Sequence, residues 1–115
     1  MLIVLFRSKL TASAAADGYP KMADEMEALA RTMPSFVDVK AFKADDGERL
    51  TIVWWQDEET LRGWREQVRH RLAQRLGREK WYEYYKIEVA EVVRQNAFES
   101  KARKATDAVR AASAP

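Results

Sequence analysis

The sequence predicts a single α+β domain, an antiparallel four-stranded sheet with two helices on one face, and three observations carry that reading. Strand-like and helix-like hydrophobic patterns follow one another in the order β-α-β-β-α-β. The chain has 115 residues, one domain's worth of polymer. Hydrophobic residues make up 47% and charged residues 33%, the balance of a folded chain rather than a disordered one.

Met1–Phe6 reads as a strand because Leu2, Ile3, Val4, Leu5 and Phe6 are apolar on both alternating faces. The small-residue stretch Thr11–Gly18 reads as a loop, with Asp17 as a helix cap and Pro20 tolerated in the first turn. Met22, Met26, Leu29, Ala30 and Met33 then form a helical stripe that Pro34 stops. Phe36–Phe42 is a second strand and Leu50–Trp55 a third, joined by the turn residues Asp45-Asp46-Gly47-Glu48. Asp57 caps a second helix whose buried stripe is Leu61, Trp64, Val68, Leu72 and Leu76, with Gly77 as its stop. Arg78–Tyr85 is an aromatic connector and Lys86–Arg94 the fourth strand. This order implies the split βαβ, or ferredoxin-like, topology, in which strands one and three are central. Residues 1–98 form the domain, and residues 99–115, rich in alanine, form a frayed or disordered tail.

The formal net charge is only +2, and the excess sits in that tail; residues 1–98 hold 16 basic and 16 acidic side chains. A neutral body with a basic tail does not predict a nucleic-acid partner. The absence of cysteine excludes disulfides and thiolate-held metal clusters, and the single histidine, His70, excludes a multi-histidine metal site. Met1–Phe6 is too short to cross a membrane and does not resemble a signal peptide, so the expected location is cytoplasmic, with no membrane partner.

Two helices cover one face of a four-stranded sheet, and the other face should then be polar. It is not, because Leu50, Ile52 and Trp54 share one face while Val53 and Trp55 occupy the other, and Leu2–Phe6 poses the same problem. Each such side chain left wet forfeits about 1.5–3 kcal/mol. A second copy packed on the open face, as a homodimer, is the expected cover; a larger core within the monomer is the alternative.

The run Ile52-Val53-Trp54-Trp55-Gln56-Asp57-Glu58-Glu59, followed by Leu61, Trp64, Arg65 and His70, then Ala73–Arg78, Trp81-Tyr82, Tyr85 and Val89-Ala90-Glu91-Val92, resembles the antibiotic biosynthesis monooxygenase family. It is similar in particular to the small bacterial members assigned to polysaccharide biosynthesis. The resemblance implies a dimeric α+β barrel. Some members oxygenate polycyclic phenols with molecular oxygen as co-substrate and no bound cofactor, whereas others bind haem through a histidine and degrade it.

On this resemblance Trp64 occupies the position of a shared helical tryptophan, whose indole N–H could hold a substrate oxygen; it also lies on the packing stripe. Ser8 stands where haem-degrading members have an asparagine, and Arg7 beside it could anchor an anionic oxygen. His70 is the candidate proton acceptor. On a straight helix it sits about 180° from the buried stripe and faces solvent; a break near Gln67–Arg69 would let it face a cavity. It also falls about a turn too early for a haem ligand. Trp54, Trp55, Trp81, Tyr82 and Tyr85 are candidates to line a pocket for a small flat aromatic ligand, or to form a dimer seam. Seven basic residues in Arg62–Lys80 read as a solvated helix face or an anion-attracting patch. No bound cofactor or metal is predicted, and haem is not expected. The expected function is a cofactor-independent monooxygenase acting on a small aromatic or polycyclic substrate. The alternative is a non-catalytic ligand-binding or interaction module in a polysaccharide-related pathway.

Overall fold

Apolar runs on both faces put β1 (Leu2–Leu10) and β3 (Arg49–Trp55) side by side in the middle of an antiparallel sheet. β2 (Phe36–Lys43) and β4 (Tyr82–Glu91) form its edges, in the order β2-β3-β1-β4. The computed structural model describes residues 1–104 and 106, and of Val68 and Arg69 the backbone only. Helices α1 (Tyr19–Arg31), α2 (Glu58–Glu66) and α3 (Val68–Leu76) connect the strands, and one π turn, Gly77–Trp81, leads into β4. The predicted α+β, ferredoxin-like fold is present.

Register divides the side chains. Val4 pairs with Val53 and Val89, and Phe6 with Thr51 and Ile87, on the face that meets the helices. Ile3 pairs with Trp54 and Leu5 with Ile52 on the opposite face. The core lies under α1 and α2, where Trp55, only 1% exposed, packs with Ala30, Leu61, Leu2, Val4, Met33 and Phe36. Trp54 and Trp55 therefore serve opposite sides of one sheet.

Several boundaries differ from expectation. The first strand runs on to Leu10, and the last begins at Tyr82 instead of Lys86 and ends at Glu91 instead of Arg94. The second half of the expected aromatic connector is strand because Tyr82, Tyr84 and Tyr85 pair with Leu10, Lys9 and Ser8, and its first half belongs to the π turn. Gly18, at φ 92°, precedes α1 in place of an Asp17 cap. Asp57 does cap α2, accepting the Thr60 backbone N–H at 2.8 Å, and Ser35 Oγ donates to its other oxygen at 3.1 Å. Those donors hold its carboxyl below the usual carboxylate range.

The single predicted helix over Asp57–Leu76 is two helices. Gln67 turns extended (φ −64°, ψ 132°), and its side-chain oxygen accepts the His70 backbone N–H at 3.0 Å, so one residue ends α2 and caps α3. Gly77 is not a left-handed stop; it stays helical (φ −60°) and opens the π turn. A helical segment covers 101–104, whereas residues 105 and 107–115 of the expected tail, and the Val68 side chain of the expected stripe, lie outside the described set. Among the described residues no helix is long and apolar enough to cross a membrane.

Candidate functional site

Between the helices and the inner face of the sheet lies a cavity of about 380 Å³. Its floor is Val4, Phe6, Val39, Ala41, Thr51, Val53 and Trp55, all inward by strand alternation. Met22, Ala23, Met26 and Ala30 from α1 form one wall, and Leu61, Trp64, His70 and Ala73 from α2 and α3 form the other.

Aromatic rings gather at both ends. At one end Phe36 meets Trp55 edge-on at 5.7 Å, Trp55 meets Trp64 at 6.0 Å, and Trp64 stacks on His70 at 4.3 Å and 24°. At the other, Phe6, Tyr19, Trp81, Tyr82 and Tyr85 form a mesh with centroids 5.5–6.0 Å apart. The Trp81 indole N–H donates to the Asp17 carbonyl at 3.0 Å, so this buried ring is a wall with its polar edge already engaged. Tyr82 is set against Gly77 so closely that a Cβ there would lie 2.5 Å from its ring. Burial pushes the Tyr82 phenol well above its ordinary value, which keeps it neutral.

His70 owes its place to the break at Gln67. On a straight helix it would face solvent; the kink swings the imidazole onto Trp64 and into the cavity wall. Its Nδ1 lies 3.2 Å from the Trp64 carbonyl, which also accepts the Gln67 backbone N–H at 3.2 Å where α2 ends. A carbonyl only accepts, so the proton resides on Nδ1, and Nε2 carries the free lone pair. Burial lowers the His70 pKa from 6.5, with the Trp64 carbonyl acting in the opposite direction. The ring is neutral at pH 7, fixed by two contacts to one residue, and able to accept a proton at Nε2.

Of the four predicted catalytic side chains, the structure brings Trp64 and His70 together and leaves two outside. Arg7 projects from the opposite face, where its Nε donates to Glu48 at 2.8 Å and Tyr84 donates to the same carboxylate at 2.6 Å. Those two donors keep Glu48 below its ordinary value. Ser8 points inward but is only 2% exposed and does not line the cavity. Of the predicted pocket residues, Trp55, Trp81, Tyr82 and Tyr85 line it; Trp54 does not, because strand alternation places it on the outer face. Sequence reasoning missed Arg49, Tyr19, Thr51 and Gln74. Arg49 and Thr51 were detectable, since both share the period-two face of Trp55. Among the described residues no group of three His, Cys, Asp or Glu is placed to hold a metal ion.

No family model matches the chain. The uncharacterized protein YqjZ of Bacillus subtilis (strain 168) is 35% identical over 82 residues, 71% of this chain and 72% of YqjZ. Among solved structures, an antibiotic biosynthesis monooxygenase superposes with a TM-score of 0.69 at 17% identity, covering 82% of this chain and all of that one. The cofactor-independent oxygenase SnoaB of Streptomyces nogalater gives 0.69 at 14% identity, covering 82% and 94%. Rv0793 of Mycobacterium tuberculosis gives 0.72 at 13% identity, covering 84% and 98%. The chain therefore belongs to the family of Bacillus subtilis YqjZ, and its architecture is that of the antibiotic biosynthesis monooxygenases.

Proposed function

We propose that the protein is an oxygenase that acts on a small aromatic or polycyclic phenol with molecular oxygen and without a bound cofactor. The observation that carries this reading is the Trp64–His70 pair, a neutral imidazole locked in one tautomer at the wall of an aromatic-lined cavity. In an anthrone-like substrate His70 Nε2 takes the acidic proton and leaves a delocalised anion in an apolar site. The anion passes one electron to oxygen, the radical pair joins through a carbon–oxygen bond, and the imidazolium returns its proton to the peroxide anion, giving the hydroperoxide. Neutral His70 then takes the second proton from the same carbon as the O–O bond breaks and the carbonyl forms, and passes it to the departing hydroxide, so substrate plus O₂ gives quinone plus H₂O. The Trp64 ring holds the base in place and closes that end of the cavity. Likeness to SnoaB supports chemistry of this kind. Anaerobic mixing with anthrone and then with oxygenated buffer should give oxygen consumption above the buffer rate, reduced by Trp64→Phe. Consumption no faster than buffer for anthrone and for simple hydroquinones would remove the reading.

A second reading, a non-catalytic binding module, is favoured by the displacement of Arg7 and Ser8 from the cavity, which leaves fewer polar groups to steer a reaction. Saturable ligand binding with no oxygen consumption would select it.

We also propose that the chain pairs with a second copy through the outer face of the sheet. Ile3, Leu5, Leu50, Ile52 and Trp54 share that face, Phe42 beside them is 48% exposed, and a two-fold arrangement covers such a surface with itself. Sedimentation should give twice the 13.3 kDa chain mass, and Trp54→Glu should return it toward the monomer.

A further inference from the structure

Arg49 is a half-buried charged group of the cavity that the proposed oxygenation does not use. It begins β3, points inward with Thr51, Val53 and Trp55, and is half-buried. Its guanidinium lies over the Tyr19 ring at 5.9 Å, and it forms no ion pair among the described residues. The other charged groups that line the cavity, Asp24, Glu27 and Arg65, are exposed on its rim. A guanidinium stays charged when half-buried, and the aromatic face beneath it offsets part of its lost hydration. What remains free is a planar fork of N–H donors.

We propose that Arg49 is a specificity-determining anchor that selects aromatic substrates carrying a carboxylate, with the acid held among Tyr19, Tyr82 and Tyr85 and the reacting ring directed toward Trp64 and His70. This deepens the oxygenase reading and rests on the same cavity being the functional site. The geometry sets the orientation. Trp55 closes the Trp64–His70 end of β3 and Arg49 the tyrosine end, six residues and about 20 Å apart along the strand. Both side chains lie on the same face of β3 and line one cavity, so an acid seated on Arg49 directs its ring along the cavity toward the other end. Neutral ligands of the same shape leave the guanidinium without a partner and gain nothing at that end.

Calorimetric titration of the full chain with naphthalene-2-carboxylate and with naphthalene-2-carboxamide tests this, since the two share a ring and differ in charge. The acid is expected to bind about tenfold tighter or more, as a charge-assisted bidentate contact would give. Arg49→Gln should equalise the two. Arg49→Lys, which keeps the charge but not the fork, should retain part of the preference, and Arg62→Gln, an exposed site outside the cavity, should retain all of it. Circular dichroism establishes that each variant is folded. Equal affinities in the wild type, a preference that survives Arg49→Gln, or no saturable binding of either compound would each overturn the anchor. Oxygen consumption is read separately. An acid preference without consumption removes the chemistry and leaves the anchor; consumption of anthrone without any acid preference does the reverse.

Discussion

Trp55→Ala should lower the stability of the protein by about 3–5 kcal/mol, the cost of truncating a fully buried large aromatic. A domain of this size has only about 5–15 kcal/mol in total, so the variant is expected to be partly unfolded near its growth temperature. Trp55 is 1% exposed and packs in the cluster that joins α1, α2 and the two neighbouring strands through Ala30, Leu61, Leu2 and Phe36. Collapse around the gap is limited because Phe36 and Trp64 already pack edge-on or tilted against the ring. Urea denaturation followed by circular dichroism measures the effect, and Trp54→Ala supplies the comparison. The neighbouring tryptophan lies on the outer face and contributes nothing to this core, so its removal should cost the monomer distinctly less. Equal losses from the two variants would mean that the sheet is not divided as described.

His70→Gln should reduce turnover of an anthrone-like substrate by about 10²–10⁴-fold, the usual contribution of a positioned proton acceptor. Glutamine keeps a donor for the Trp64 carbonyl but offers no basic nitrogen. The pH dependence gives an independent check. Burial lowers the folded-state pKa of His70 beneath 6.5, so the base stays unprotonated into mildly acidic solution and the acid limb of the rate profile should lie below that value. Stability follows the same linkage. Beneath pH 6.5 the unfolded chain binds a proton at His70 that the folded chain does not, so stability declines as pH falls from 6.5 to the depressed folded value and then levels. His70→Gln should remove that part of the decline. A limb unchanged in the variant would assign the titration to another group.

Much of this arrangement was legible in the residues. Apolar runs on both faces of Leu2–Phe6 and Leu50–Trp55 identified the central strands, and Asp57 announced the start of α2 because a short carboxylate before two glutamates suits a positive helix end. The interruption at Gln67 was not legible, and His70 could not be placed without it. Glutamine is a good helix former and a poor cap, so nothing local marks it as a breaker; the tertiary contacts around it, Trp64 on Trp55 and His70 on Trp64, go with the break. Arg7 and Ser8 lie outside the cavity for two different reasons. A position matched by resemblance near a strand end does not specify a face, and Arg7 falls on the outer one, whereas Ser8 shares the inner face but is buried away from the cavity. The aromatic connector was misread because Tyr82–Tyr85 shows no clean alternation, although its composition favours a strand.

The contact between Gly77 and Tyr82 has an evolutionary consequence. The phenol ring fills the volume that any side chain at position 77 would need, so the two positions are constrained as a pair. Relatives that gain a methyl at the first should shrink or lose the ring at the second, and the reach of their binding chamber should change accordingly. Comparing that pair of letters across homologous genomes would then sort the proteins by the size of molecule they admit.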